Sequence, residues 1–190
     1  DETDAATGED ATKKSSQMKA AADSLKQSAA ALGSVSLWEK KKTVTKDEVT
    51  GVETETKDYD WEAITKAVKS FVTDYNAVIS RAGDSETKDV LRNAVWMTGT
   101  AESNGKVLSQ VGITIGKGNK LELDEEELKK ADISTLRILF TGHNSFIDKV
   151  STKANSISCA AARSSSTYKS NGTYNSALSE LVSKKVDEEV

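Results

Sequence analysis

Residues 108–142, LSQVGITIGKGNKLELDEEELKKADISTLRILFTG, decide the fold of this chain. Their pattern predicts a short helix, a compact hairpin, a capped helix and a turn that leads into another long helix. Two long helices with heptad spacing are predicted before this stretch and one after it. The stretch holds no nucleophile motif and no cluster of metal ligands, so the sequence says more about architecture than about chemistry.

The compact hairpin is predicted over residues 112–123, where apolar residues alternate on both sides of the Gly-rich turn 116–119. The alternating residues are Ile113, Ile115, Leu121 and Leu123. Asp124 and Glu127 then predict a capping box at the start of a helix over 125–131. In the next turn Leu139 and Phe140 are expected to face inward.

Three long helices are predicted near residues 11–32, 61–82 and 145–162, because apolar residues recur there at helical spacing. Shorter helices are expected over 85–98 and 125–131. For the 85–98 helix we expect an inward face of Val90, Leu91, Ala94 and Val95, with Trp96 or Met97. Gly99 and Gly105 are expected to bracket a loop. The predicted structural core is Leu25, Trp61, Ile64, Val68, Phe71, Tyr75, Ile113, Leu121, Leu139, Phe140, Val150 and Ile157.

A single helical-bundle domain is therefore predicted over residues 11–162. Residues 1–10 are expected to be a disordered acidic lead-in, and 163–190 a polar Ser/Asn-rich tail with a weak terminal helix. An inserted hairpin is predicted at 36–58, with one Lys-rich and one Glu-rich strand and no apolar face. We expect it to be a solvated arm or, in the alternative, an edge that binds a partner. The fold class is mainly α: an elongated helical bundle of three long helices with additional short helices and two small β-hairpins.

Composition excludes several classes of function. The 190 residues carry a formal net charge of −4 and form no basic stripe, which argues against a nucleic-acid partner. No apolar run approaches the roughly 20 residues that a membrane-spanning helix needs. The chain has no proline, so long helices can continue without interruption.

Candidate chemical residues are few. His143 is the only histidine and Cys159 the only cysteine. We expect a surface or capping role for His143 and a buried structural thiol for Cys159. About 24 Å would separate them along a continuous helix, so they cannot form a dyad. No catalytic, cofactor-binding or metal-ligating residue is predicted, and the chain is not expected to be an enzyme.

Two motifs resemble the C-terminal half of the flagellar hook-associated protein 2 family, the filament-cap proteins. The first is VKSFVTDYNAV at residues 68–78. The second begins with LSQVGIT at 108–114 and continues through KLELD at 120–124 to Leu128, Leu139 and Phe140. The second is the more specific motif, because it combines order with spacing, and the resemblance extends over residues 61–157.

This resemblance implies a non-enzymatic structural protein similar to the core of a filament cap, or to a flagellin-like helical domain. It implies protein partners, through self-association or flagellin-like subunits, and an extracellular or bacterial cell-surface location. No cofactor is expected. The alternative is a surface-exposed bacterial binding or adhesion module that uses the loop at 99–105 or the first hairpin.

Overall fold

A computed structural model describes residues 2–167 of the chain. In chain order its helices and strands are α1 (Glu2–Gly33), a 3-10 turn (Val35–Trp38), β1 (Lys41–Lys46), β2 (Glu53–Asp58), α2 (Trp61–Gly83), α3 (Lys88–Ser103), α4 (Gly105–Ser109), β3 (Ile113–Ile115), a 3-10 turn (Lys117–Asn119), β4 (Leu121–Leu123), α5 (Glu125–Lys130), α6 (Ile133–Phe140) and α7 (Phe146–Thr167). This confirms the predicted mainly α fold with two small antiparallel hairpins. The weak terminal helix predicted in the tail lies outside the described residues.

Four helices form the bundle, in which α1 packs against α2 and α7, and α3 packs against α7. Side-chain contacts fix their directions. Ser158 Oγ donates to Asp23 Oδ1 at 2.7 Å, and Ser15 and Ser164 hydroxyls lie 3.3 Å apart, so α1 and α7 are antiparallel. Thr87 also contacts Ser164, at the start of α3. We call the opposite end, where α1 and α3 finish and α2 and α7 begin, the hairpin end.

The second helix forms because its cap and its apolar stripe agree. Asp60 accepts a hydrogen bond from the backbone N–H of Ala63 at 3.0 Å. The buried face includes Phe71, whose ring centroid lies 5.9 Å from that of Phe146 and 6.3 Å from that of Phe140. A single cluster of buried residues extends from Met18 to Ala161. One continuous core therefore holds the bundle together.

Eleven of the twelve predicted core residues are buried, and Trp61 is the exception. Trp61 is only half-buried, because it occupies the first turn of α2, where few elements cover it. Its ring meets Tyr59 edge-on, with the centroids 6.4 Å apart. Trp38, which the sequence pattern did not single out, is buried instead. It stacks on Phe140 at 5.9 Å and donates from Nε1 to the Leu32 carbonyl at 2.7 Å.

The second hairpin has the predicted register, Ile113 opposite Leu123 and Ile115 opposite Leu121. Two contacts fix its position. Asn76 of α2 donates from Nδ2 to the Leu121 carbonyl at 2.8 Å and accepts from the Leu121 N–H at 2.7 Å. Gly112 has a φ of +78°, and a Cβ there would lie 2.6 Å from the Asp124 carbonyl oxygen. The hairpin is thus joined to α2 on one side and to α5 on the other.

The boundaries of the first and last helices differ from the prediction. Helix α1 begins at Glu2, so the expected disordered lead-in is helical in this structure. The acidic residues at its start favour a helix, since they face the positive end of the helix dipole. Helix α7 continues to Thr167, past the predicted end at residue 162. Its last turns pack beside α1 and α3 through Ser164.

The cap of α5 also differs in detail from the prediction. Asp124 caps α5 as predicted, through the N–H groups of Glu126 and Glu127. The Glu127 side chain does not close a capping box, because it pairs with Lys130 at 3.1 Å.

Within residues 2–167 no helix is both long and apolar enough to cross a bilayer.

Candidate interaction surface

The predicted loop at 99–105 is helical, which changes the surface available for binding. Gly99 lies inside α3, and only Asn104 separates α3 from α4. Hydroxyl groups support this helix from within. Thr98 donates to the Val95 carbonyl at 2.9 Å, and Ser103 donates to that of Gly99 at 2.8 Å. The adhesion alternative therefore loses one of its two expected binding sites, the loop, and keeps the first hairpin. At this position α3 itself provides the surface.

The buried face of α3 also differs from the prediction. Val90, Ala94, Met97 and Ala101 are buried, whereas Leu91, Val95 and Trp96 are exposed. The buried residues are spaced four, three and four apart, which is a single helical stripe. Residues 91 and 95 lie about 100° from that stripe, and only the position of α7 shows which of the two stripes is covered.

A groove, the α3–α7 groove, lies where the second half of α3 meets the start of α7. Its volume is about 700 Å³, and α3 contributes Val95, Trp96 and Thr100 to its wall. Val95 is 69% exposed and Trp96 is 62% exposed. The Lys153 ammonium of α7 lies 5.2 Å from the centroid of the Trp96 ring, a cation–π contact. The groove thus presents two apolar side chains from α3, and two lysines and Asp148 from α7.

A tight turn before α7 closes one end of the groove. Asn144 has a φ of +64° and donates from its N–H to Asp148 Oδ2 at 2.8 Å. Ser145 Oγ in turn accepts from the Asp148 N–H at 3.3 Å. His143 Nδ1 lies 3.2 Å from the same Asp148 oxygen, and its side chain is 91% exposed. His143 therefore lies at the surface, beside a reciprocal helix cap.

The hydroxyl groups that line the groove are engaged by their own helices. Thr100 donates to the Trp96 carbonyl at 2.9 Å, and Thr152 to the Asp148 carbonyl at 2.9 Å.

Cys159 is exposed rather than buried, because it lies two positions after the seam residue Ile157 and hence on the other side of α7. In the described part of the chain, no group of three His, Cys, Asp or Glu side chains could hold a metal ion.

The first hairpin, β1 with β2, is the other prominent surface. All twelve of its strand residues are exposed, and Val44 pairs with Glu55 at its centre. Its base is fixed by the ion pair between Lys41 and Asp60, at 2.8 Å, and by buried Trp38. Lys42 also pairs with Glu55 across the strands. At the tip, hydrogen bonds from the N–H groups of Thr50 and Val49 lower the pKa of Asp47.

Comparisons of the chain with protein-family models, with curated protein sequences and with solved structures find no match. The resemblance of the motifs at residues 68–78 and 108–140 to filament-cap proteins therefore remains an expectation from sequence. The candidate functional surface consists of the α3–α7 groove and the first hairpin, and both lie toward the hairpin end of the bundle.

Proposed function

We propose that this chain is a non-enzymatic structural protein that assembles with other protein subunits, like the core of a bacterial filament cap. The partners would be further copies of the chain or flagellin-like subunits, outside the cell or at its surface. The observation that carries the proposal is the exposure of Val95 and Trp96 in the α3–α7 groove. The groove is the proposed contact.

The composition of the groove suits a protein partner. Tryptophan is enriched among the residues that dominate binding energy, and these residues sit in partly enclosed pockets with a polar rim. Here Trp96 and Val95 form the apolar centre, and Asp148, Lys149 and Lys153 form the charged rim. A tryptophan that is 62% exposed buries little of its apolar area in the isolated chain, so covering it would favour association.

The two motifs behind the resemblance also contact each other. Asn76 comes from the first motif and holds Leu121, which belongs to the second, through two hydrogen bonds. The motifs are 45 residues apart in sequence at this contact. This tertiary contact gives a physical reason for the two motifs to occur together in this chain.

Sedimentation velocity over a wide concentration range tests the proposal. We expect the wild-type chain to associate with increasing concentration. Trp96→Ser should weaken association at least about 30-fold, as expected for loss of a dominant contact residue. Ile138→Ser is the matched control, because Ile138 is 70% exposed but does not line the groove. A wild-type chain that remains monomeric at all concentrations, or equal effects of both substitutions, would contradict the proposal.

The alternative function is a surface-exposed binding or adhesion module that holds its ligand in the same groove. The contact between Lys153 and Trp96 favours it, because it presents an aromatic ring next to a cation in an open cavity. Trp96 fluorescence distinguishes the two functions. A monomeric chain whose Trp96 emission changes with a soluble ligand, and not with its own concentration, would favour the module.

A further inference from the structure

We infer that the first hairpin joins copies of this chain head to tail, with β1 of one copy pairing with β2 of the next. The inference rests on the proposed assembly and names a second contact within it, separate from the groove. The occupant of each strand edge is a second copy of this chain. The argument depends on free backbone groups, on the distribution of charge and on the rigidity of the hairpin.

Both edges of the hairpin have backbone groups available for pairing. The sheet has two strands, so each strand has one side with no neighbouring strand in residues 2–167. Asp47 donates to the Val52 carbonyl at 3.0 Å, and hydrogen-bonded pairs alternate with non-hydrogen-bonded pairs in antiparallel strands. The pairs Lys46–Glu53, Val44–Glu55 and Lys42–Lys57 are therefore non-hydrogen-bonded, and their N–H and C=O groups point outward.

Charge then determines which edges can meet. Strand β1 carries three lysines and no acidic residue, whereas β2 carries three acidic residues and one lysine. Lysine on an edge strand usually prevents pairing, but here the repulsion acts mainly between two β1 edges, since β2 carries one lysine against three acidic residues. Two β2 edges also repel each other. A β1 edge and a β2 edge attract, and Val44, which is 59% exposed, offers an apolar side chain at the centre of the contact.

Pairing of β1 with β2 is a heterologous contact, since it uses two different surfaces of the same chain. Such a contact leaves one free edge at each end of an open oligomer, or closes into a ring when the rotation allows. A second-copy strand would add backbone hydrogen bonds in the manner of β-augmentation. Trp38 and the ion pair between Lys41 and Asp60 already hold the base of the hairpin in place. Less conformational entropy is therefore lost when a second copy binds.

Proline substitutions at outward-pointing N–H groups test the inference in the full-length chain. Val44→Pro removes a donor from the β1 edge, and Glu55→Pro removes one from the β2 edge. Neither N–H is used within the hairpin, and the Lys42–Glu55 ion pair that Glu55→Pro removes is exposed, so each variant should keep the strand pairing. Alone, each variant should associate at least about tenfold more weakly than the wild type, as expected for loss of backbone hydrogen bonds at one edge.

Mixing the two variants is the decisive measurement. With Trp96→Ser in both partners to remove the groove contact, the free β1 edge of Glu55→Pro should pair with the free β2 edge of Val44→Pro, and sedimentation should show a heterodimer that does not grow further. Thr43→Pro is the control, because its N–H points into the hairpin and the substitution should break the strand pairing. It should not form this heterodimer with Glu55→Pro. In this Trp96→Ser background, association of either proline variant as strong as that of Trp96→Ser alone, a mixture that forms no heterodimer, or pairing of the Glu55→Pro variant with itself would overturn the inference.

Adding Trp96→Ser to both partners separates this inference from the proposed role of the groove. A heterodimer that persists while Trp96→Ser has no effect of its own would support the hairpin contact and reject the groove. Weakening by Trp96→Ser without any effect of the proline variants would reject the hairpin contact and leave the groove.

Discussion

Phe71 is the centre of the aromatic core, and it illustrates what a single residue contributes. It is fully buried, and its ring centroid lies within 6.3 Å of those of Tyr75, Phe140 and Phe146. Phe71→Ala should lower the free energy of unfolding by about 3–5 kcal/mol, because a large cavity would remain among rigid rings. Denaturant unfolding measures this, with exposed Ser70→Ala as the control. A loss below about 1 kcal/mol would contradict the central placement of Phe71.

A substitution at Tyr75, one turn further along α2, should change the free energy of unfolding in the opposite direction. Its hydroxyl is buried and has no hydrogen-bond partner in the described residues. Burial raises the pKa of the Tyr75 phenol well above its ordinary value, with a smaller contribution from Glu102. Tyr75→Phe removes only this hydroxyl and should stabilise the fold by about 1 kcal/mol. The same unfolding measurement applies, and a clear destabilisation would mean that the hydroxyl has a partner.

At the level of elements, substitutions at two glycines should have opposite effects on stability. Gly99 lies inside α3, and a Cβ there would meet no atom within 4 Å, so Gly99→Ala should stabilise the helix by about 1 kcal/mol. Gly112 has a positive φ, and a Cβ there would clash with the Asp124 backbone. Gly112→Ala should therefore destabilise the chain by at least about 2 kcal/mol. Thermal unfolding of the two variants measures both effects, and a change of the same sign in both would contradict this account.

The contact between α1 and α7 should depend on pH through Asp23. Hydrogen bonds from Lys19 and then from Ser158 lower the pKa of Asp23 below its ordinary value of 3.8. A lowered folded pKa means that the ionised carboxylate stabilises the fold above about pH 4. This stability is lost as the pH falls through the folded pKa. The unfolding midpoint of Asp23→Asn should therefore depend less on pH below pH 4 than that of the wild type.

Ser158→Ala is the companion variant for this measurement. It removes the contact from α7 but keeps Lys19, so its dependence on pH should lie between those of the wild type and Asp23→Asn. Unfolding midpoints from pH 2 to pH 6 provide the comparison. An unchanged acid dependence in Asp23→Asn would assign the effect to other carboxylates with lowered pKa values, such as Asp60.

At the scale of the whole molecule, the bundle should be stable without the first hairpin. Lys41 and Asp58 are paired across its base, so residues 42–57 can be replaced by an Asn-Gly turn. Since all the strand residues removed are exposed, the free energy of unfolding should change by less than about 0.5 kcal/mol. Trp38→Ala, just before the hairpin, should instead cost about 3–5 kcal/mol. Parallel losses in both variants would mean that the hairpin is part of the folding unit.

Much of the fold could be predicted from sequence, but little of the candidate surface. The hairpin at 112–123 and the long helices follow from apolar spacing, which depends on local geometry alone. The α3–α7 groove does not, because α3 carries two possible apolar stripes and the choice between them depends on α7. The sequence pattern therefore placed Val95 inward, with Trp96 or Met97 as alternatives; Val95 and Trp96 are exposed, and Met97 is buried.

Sequence alone determined the helical class, the two hairpins and nearly all of the core. Periodicity and caps specify these features within a few residues of chain. Tertiary structure decided the burial of Trp38, the link from Asn76 to Leu121 and the exposure of Cys159. It also decided that a groove and a charged hairpin lie toward the same end of the bundle. Those features depend on contacts between residues that are distant in sequence, and only the packing of the helices brings such residues together.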